Sequence, residues 1–566
     1  MDFPVLTVLA LLPALGAVAV VLAGVRLAKQ VALAAAVATA VVAAVVALRF
    51  TPGGGPQFTE QVTWIRPLGA YYALGVDGIG LTLVLLVVVV TPVVIVASWR
   101  DFDKVKMRAE PVEAALRQGT GASAVDPGTL RQASGSSAVD PGTVRQASGS
   151  SAVDPGTVRQ ASGTLPPKYD SRVFFALVLA VETCALYLFL ATDVFLFYVF
   201  FEVILIPMYF LIGGFGPGPR RTYAAAKFLI FGLLGGFVML ASVIGLYVQS
   251  AAAGEPSYLL STLSALDYGT GTERWLFLGF MFAFAIKAPL VPLHTWLPDA
   301  AEESSPGGAT MMVGVMDKIG TFGMIRFCLG LFPEASQWAT PVVIVLAVIS
   351  ILYGAILAIG SRDMMRFVAY TSISHFGFIV LGIFAFTTQS LVGSTLYMLN
   401  HGLSTAALFL AVGYLIKRGR SRNIPDYTGV QKAAPVLAGL LLFAGLSTLS
   451  LPGLSSFVSE FMVLAGTFSR YPAHAVVSTL AIVLAALYIL IMYQRTMTGP
   501  LGPSVLEIRD VTRRERVALA PLVLLILVLG FFPKPMLDVI EPTVVASMAD
   551  IGVSDPPPRV SAEGGR

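Results

Sequence analysis

Six titratable side chains lie within long apolar runs of the sequence, each near the middle of its run. They are Glu202, Lys287, Lys318, His375, His401 and Glu460. Lysine, glutamate and histidine are side chains that can take up and release protons when they are buried. Their shared depth predicts a relay that passes protons from one helix to the next.

These side chains are costly to keep at that depth. One charge at the centre of a membrane helix costs about 2.5–3.5 kcal/mol. Four charges would cost on the order of 10 kcal/mol, which is comparable to the whole stability of a typical domain. We therefore expect them to face the bundle interior, water or one another. The alternative is a set of neutralised pairs that only hold helices together, and each histidine could be a satisfied core residue.

Two further candidates extend the predicted relay. Lys227 lies near the end of an apolar run, and His294 follows Lys287 in AIKAPLVPLHTW. The amine of Lys227 could instead reach the membrane surface, as lysine side chains near helix ends do. Glu182 could join the relay or be structural, and the sequence leaves both readings open.

Prolines interrupt two apolar runs close to an ionisable residue. Pro289 and Pro292 follow Lys287, and Pro452 precedes Glu460. A broken helix at membrane depth is tolerated only beside protein or a water-filled cavity. The two breaks lie five runs apart, as expected for duplicated units of opposite topology. We predict a hydrated ion pathway at the breaks, with a dry proline kink as the alternative.

The pair Glu202 and Lys287 could act as a switch. At a separation of about 7 Å and an effective dielectric of about 20, their attraction is about 2.4 kcal/mol. This is comparable to moving one charge through about 100 mV. Moving the carboxylate toward or away from the amine could therefore load and unload a proton against a membrane potential.

The elements that position these residues are membrane helices. Of the 566 residues, 56% are hydrophobic and only 12% are charged. Soluble proteins carry about 25% charged residues. The apolar runs are about 17–25 residues long, enough to cross a bilayer as helices. The sequence predicts an all-α polytopic membrane protein of about fourteen transmembrane helices, roughly at 4–24, 30–48, 76–98, 172–190, 193–213, 223–249, 275–298, 308–331, 338–360, 365–387, 391–415, 434–466, 474–496 and 515–533.

Basic residues concentrate in alternate loops between these runs. By the positive-inside rule those loops lie in the cytoplasm, which places both termini outside. The net charge of +4 comes mostly from the same loops and implies no nucleic-acid partner.

The chain divides into five predicted parts. Residues 1–99 form an N-terminal three-helix segment, and 100–170 form a cytoplasmic disordered insertion. A 14-residue unit occurs three times within 121–162, and it has too little apolar surface to order itself. The segment QFTEQVTWI partly alternates and predicts a short hairpin. The first and second five-helix repeats and the last helix with its tail follow at 171–335, 336–500 and 501–566.

Motifs that bind cofactors are missing from the sequence. We find no CxxC, no P-loop and no glycine-rich dinucleotide fingerprint. Both cysteines fall in apolar runs, where they favour buried packing over a metal site or a disulfide. We therefore expect no bound cofactor and no metal on this chain.

Seven stretches together resemble one family, the antiporter-like membrane subunits of respiratory complex I, which are related to subunits of multisubunit cation/proton antiporters. They are LGVDGIGLTL, FFEVILIPMY, AIKAPLVPLHTWLPDA, DKIGTFGMIRF, AYTSISHFGF, NHGLSTAALF and LPGLSSFVSEF. The resemblance covers nearly the whole chain apart from the 100–170 insertion and the tail. It implies two inverted five-helix repeats and discontinuous seventh and twelfth helices.

The resemblance also implies roles. Glu202 would pair with Lys287, while Lys318 would be central, beside the two histidines. Glu460 would stand at the exit. A glutamate there is similar to the M-type (chain 4) branch, whereas L- and N-type chains and antiporter subunits usually carry lysine. The short tail also argues against the L type.

The family implies partners and a location. The chain would be the proton-pumping subunit of an NADH–quinone oxidoreductase in the bacterial plasma (inner) membrane, beside L- and N-type chains. NADH, FMN, iron–sulfur clusters and quinone would be bound by partner subunits. A subunit of a cation/proton antiporter or of a membrane-bound hydrogenase is the alternative, and a membrane scaffold is a weaker one.

One position departs from the family pattern. The family often has a histidine after Leu-Pro-Asp-Ala, and Ala301 stands there in this chain. Glu302 or Glu303 could serve in its place.

Overall fold

A computed structural model describes residues 4–102 and 165–557. The 14-residue repeats lie outside these ranges. Helices dominate, as the composition predicts. Their bounds are α1 Val5–Leu22, α2 Gly24–Arg49, α3 Gly78–Ala97, α4 Ser171–Leu190, α5 Val194–Val203, α6 Leu205–Phe215, α7 Arg221–Ala252, α8 Leu260–Leu263, α9 Thr270–Lys287, α10 Trp296–Glu302, α11 Pro306–Met311, α12 Lys318–Gly323, α13 Pro333–Gly360, α14 Met364–Phe384, α15 Thr388–Gly419, α16 Val430–Ala433, α17 Pro435–Thr448, α18 Ser455–Arg470, α19 Pro472–Met497, α20 Arg513–Phe531 and α21 Lys534–Asp550.

Ten helical spans in the described part are long and apolar enough to cross a membrane, counting α5 and α6 as one. Helices α20 and α21, bent by 71°, make an eleventh if they are taken together. These eleven coincide with eleven of the fourteen predicted spans. The other three predicted spans are interrupted, as α9–α10, α11–α12 and α17–α18. The count of fourteen and the inverted repeats therefore stay predictions.

The predicted hairpin is confirmed. Strands β1 (Gln57–Ile65) and β2 (Ala70–Val76) pair antiparallel. Gly69 closes the turn at a φ of 63°, where a side chain would be strained. A Cβ atom at this glycine would also lie 1.9 Å from the Pro256 carbonyl oxygen, so the turn packs directly on the chain after α7.

Helix α21 occupies a segment that the sequence analysis treated as a tail. Gly78, the first residue of α3, donates its backbone N–H to Thr543 Oγ1 at 3.0 Å. A Cβ at Gly78 would lie 2.0 Å from the Val539 carbonyl oxygen. Helix α21 thus packs tightly against the start of α3.

The first proline-broken segment keeps its backbone groups satisfied. Residues 288–295 separate α9 from α10. Trp296 Nε1 donates to the Ile286 carbonyl at 2.9 Å, and Val291 N–H donates to Ser350 Oγ at 2.9 Å. Neighbouring side chains therefore replace helical hydrogen bonds that the prolines cannot make.

Candidate functional site

Lys318 lies at the centre of the buried polar row. Its side chain is fully buried at the start of α12. The preceding residues, Met312–Met316, form a π-helical turn, in which Asp317 N–H bonds to the Met312 carbonyl five residues back. The Val313 carbonyl is then available, and it accepts a hydrogen bond from Lys318 Nζ at 2.6 Å. The irregular helix thereby supplies a polar partner for a buried amine.

Two histidines follow the lysine. Lys318 Nζ lies 2.8 Å from His401 Nδ1, and His401 Nε2 lies 3.1 Å from Ser372 Oγ. An ammonium group only donates, so His401 Nδ1 accepts and its Nε2 carries the hydrogen. The ring of His375 lies 5.4 Å from that of His401, centroid to centroid. The structure thus brings together the three residues predicted for the middle of the relay.

Tyr397 joins the histidines to the predicted exit residue. His375 Nδ1 lies 2.6 Å from the tyrosine hydroxyl, which donates to Glu460 Oε2 at 2.7 Å. Since the one hydroxyl hydrogen goes to Glu460, His375 Nδ1 must donate to the tyrosine oxygen. This leaves His375 Nε2 as the acceptor, and it has no hydrogen-bond partner among the described residues. An unbroken hydrogen-bonded run thus connects His375 to Glu460.

The sequence analysis missed Tyr397. The residue lies four positions before His401 in α15, on the same face of the helix. The four-residue spacing between Tyr397 and His401 could have indicated that the two side chains lie together, although most buried tyrosines only pack in a core.

The second helix break holds the far end of this run. Ser450 Oγ donates to Glu460 Oε2 from the segment between α17 and α18. Ser450 adopts a φ of 61°, an unusual value for a residue other than glycine. The break near Pro452 therefore places a hydroxyl beside the carboxylate.

The predicted pair of Glu202 and Lys287 is not in direct contact. Lys287 is buried at the last position of α9, where the negative end of the helix dipole favours a cation. Its Nζ lies 4.9 Å from the centre of the Phe201 ring and has no hydrogen-bond partner among the described residues. Glu202 is half-buried and makes no direct ion pair with Lys287 within the described part of the chain. The two residues interact electrostatically without direct contact. Their role as a switch stays a prediction.

Asp317 is a second residue that the sequence analysis missed. Its carboxylate is fully buried, next to Lys318 in the chain, and acts electrostatically on both Lys287 and Lys318. Neither oxygen has a hydrogen-bond partner among the described residues. A charge in the middle of the apolar run was the signal.

The remaining candidates lie near the first break. His294 is buried with its ring 5.2 Å from that of Tyr353. Lys227 Nζ makes a 2.7 Å ion pair with Asp299 Oδ2, so this lysine is held and does not simply extend to the surface. Glu182 is fully buried, and its oxygens have no hydrogen-bond partner in the described ranges.

Gly236 leaves space for the carboxylate of Glu202. A Cβ atom at Gly236 would lie 1.6 Å from Glu202 Oε1. We expect Gly236→Ala to displace the carboxylate while changing the free energy of unfolding by less than about 1 kcal/mol, because the end of a glutamate side chain moves easily. Thermal unfolding in detergent and a density map measure the two effects. Gly439→Ala, with open space around it, is the control. An unmoved carboxylate would contradict this packing.

A helical bundle with a buried titratable row and broken helices defines a class of protein, the multi-pass membrane subunits that move ions through a polar interior. The model of the family "NADH:quinone oxidoreductase/Mrp antiporter, TM" matches residues 191–485. The chain belongs to this family.

The relatives specify the branch. NADH-quinone oxidoreductase subunit M of Mycobacterium tuberculosis is 49% identical over 99% of this chain and 97% of its own length. Subunit M of Pseudomonas aeruginosa is 40% identical over 62% of this chain and 70% of its own. NADH-ubiquinone oxidoreductase chain 4 of Marchantia polymorpha is 34% identical over 66% and 74%. The predicted resemblance to the M-type branch is confirmed.

Solved structures agree with the fold. A chain of respiratory complex I from Thermus thermophilus with bound NADH superposes with a TM-score of 0.79 at 28% identity, covering 97% of this chain and 100% of that one. A chain of the Mrp complex from a Dietzia species gives 0.76 at 19% identity with the same coverage, a likeness of fold.

Proposed function

We propose that this chain is the proton-translocating M-type membrane subunit of an NADH–quinone oxidoreductase. The observation that carries the proposal is the buried run from Lys318 through His401, His375 and Tyr397 to Glu460. Lysine, imidazole, phenol and carboxylate are all groups that exchange protons. All five side chains are buried inside the helical bundle.

The hydrogen bonds support the following order of proton transfer from Lys318 to Glu460. Lys318 gives a proton to His401 Nδ1, and His401 releases one from Nε2. His375 Nε2 receives a proton, Nδ1 passes one to the Tyr397 oxygen, and the hydroxyl passes one to Glu460. The gap between the two rings would be crossed through an intervening water. Asp317 and Glu202 supply the negative charge that holds protons on Lys318 and Lys287.

The redox chemistry is assigned to partner subunits. NADH, FMN, the iron–sulfur clusters and quinone would bind there, and this chain would contribute translocation alone. We place it in the bacterial plasma membrane beside L- and N-type chains, with the basic loops in the cytoplasm and both termini outside. The buried titratable side chains support the assignment of proton translocation to this chain.

The test of the proposal is Tyr397→Phe. Removing the hydroxyl interrupts the run between His375 and Glu460, and we expect NADH-driven proton translocation to fall about tenfold. Leaving buried groups unpaired costs about 1–3 kcal/mol, so the rate is normalised to assembled complex. The measurement uses inverted membrane vesicles and a pH-sensitive dye.

The matched control is Tyr488→Phe. Tyr488 is also buried and interacts electrostatically with Glu460, but its hydroxyl has no hydrogen-bond partner among the described residues. The control should retain its rate. Equal rates in the two variants would overturn the proposed route through Tyr397.

A further inference from the structure

Glu303 is a buried carboxylate inside an ionic cluster. It follows α10 directly, in the connection to α11, and only 2% of the residue is exposed. Neither oxygen accepts a hydrogen bond from the residues that the structure describes. A buried carboxylate without hydrogen bonds is costly as an anion and readily binds a proton.

Its neighbour in the chain has the opposite character. Glu302 accepts hydrogen bonds from Arg366 and from Arg220, the latter at 3.2 Å. Arg422 lies 3.7 Å from Glu302 and 3.9 Å from Glu303, nitrogen to oxygen. Glu302 is thus held in place by arginine side chains. Glu303 is left free to change its protonation state.

The charges around Glu303 come from three parts of the chain. Burial raises the pKa of Glu303, Arg422 and Arg220 lower it, and Glu302 raises it. The result is a pKa above the ordinary value for glutamate. Glu303 therefore keeps its proton to a higher pH than an exposed glutamate does, and loses it as the pH rises further.

Glycines make room for this carboxylate. A Cβ atom at Gly218 would lie 2.0 Å from Glu303 Oε2, and one at Gly216 would lie 1.9 Å from the Glu303 carbonyl oxygen. At these two positions the backbone of the loop before α7 therefore packs directly against Glu303. Arg220, in the same loop, has 58% of its side chain exposed, so the cluster reaches the surface within one residue.

The cluster continues inward to the first helix break. Arg366 contacts both Glu302 and Asp299, and Asp299 pairs with Lys227 at 2.7 Å. Lys227 acts electrostatically on His294, which lies in the broken segment after Lys287. Ion pairs thus lead from the loop surface to Lys227, toward the broken segment that follows Lys287.

We propose that Glu303 is the proton-loading group of this chain, which takes protons from the solution at the basic loops and supplies them toward Lys287. Each cycle protonates the carboxylate from solvent and returns it to the anion when the proton moves inward. This inference rests on the proposed translocation function. It adds the entry point to that function.

The test compares Glu303→Gln with Glu302→Gln in the assembled complex in native membranes. Glutamine keeps the shape of glutamate but cannot carry the proton. We expect Glu303→Gln to lower NADH-driven translocation per complex about tenfold and to remove the decline of the rate with rising pH that Glu303 causes. Glu302→Gln should lower the amount of complex and keep that pH profile. Glu303→Asp should restore the decline.

Two results would overturn the loading role. One is an unchanged rate and pH profile in Glu303→Gln, and the other is the same change in both glutamine variants. A failure of the proposed translocation function would give a different result. In that case a substitution of the central Lys318 would also leave translocation unchanged.

Discussion

Replacing Lys318 by methionine is expected to reduce NADH-driven proton translocation about a hundredfold. The amine joins the π-helical turn to His401 by hydrogen bonds with the Val313 carbonyl and His401 Nδ1. Without it the histidines have no hydrogen-bonded proton donor. Loss of a positioned acid–base group costs about 10²–10⁴ in rate.

The variant should still assemble. Methionine has a similar length and adapts to its surroundings. The buried carboxylate of Asp317 would lose the lysine beside it, but it can take up a proton and so avoid being left as an unpaired charge. Quantifying the chain in the purified complex checks this point, while dye quenching in inverted vesicles reports translocation. Lys432→Met, at an exposed lysine, is the matched control. A rate within twofold of the unaltered complex would rule out a central role for Lys318.

Replacing Glu202 by glutamine is expected to cut translocation tenfold or more. For a separation of about 7 Å and an effective dielectric of about 20, the values assumed from the sequence, the lost attraction would be about 2.4 kcal/mol, or a factor of about 60 in an equilibrium. Lys287 would then lack the partner that loads it. Its remaining anionic neighbour at this depth is Asp317.

The partial exposure of Glu202 separates the loss of its charge from an effect on folding. The residue is half-buried, so the isosteric amide should leave folding and assembly unchanged. Glu334→Gln, at an exposed glutamate, controls for the substitution. Translocation is measured together with NADH–quinone reductase activity. If pumping per NADH stays constant, the pair is not the switch.

Composition and proline positions predicted most of the architecture. Apolar runs set by the bilayer thickness appear as helices, and the breaks after Lys287 and before Glu460 lie where prolines remove backbone donors. We expected the charged residues to be buried in the interior of the bundle, and this is confirmed for Lys287, Lys318 and Glu460. Glu202 differs, because the residue is only half-buried.

Other parts of the site could not be derived in this way. Tyr397 has the residue type of an ordinary core aromatic, and only the positions of His375 and Glu460 in space reveal its role. The ion pair of Lys227 with Asp299 joins residues 72 positions apart, which no local pattern encodes. Helix α21 was missed because acidic residues and a proline lower the hydropathy of its segment.

Two π-helical turns flank α12, Met312–Met316 before it and Met324–Leu329 after it, and they have a consequence for insertions and deletions. Each such turn accommodates one residue more than a regular helix of the same rise. Deleting one residue from Met312–Met316 would restore regular winding there and rotate α12 by about 100° relative to α11. Lys318 would then point away from His401. Residue number in this short stretch is therefore under a stricter geometric constraint than residue identity.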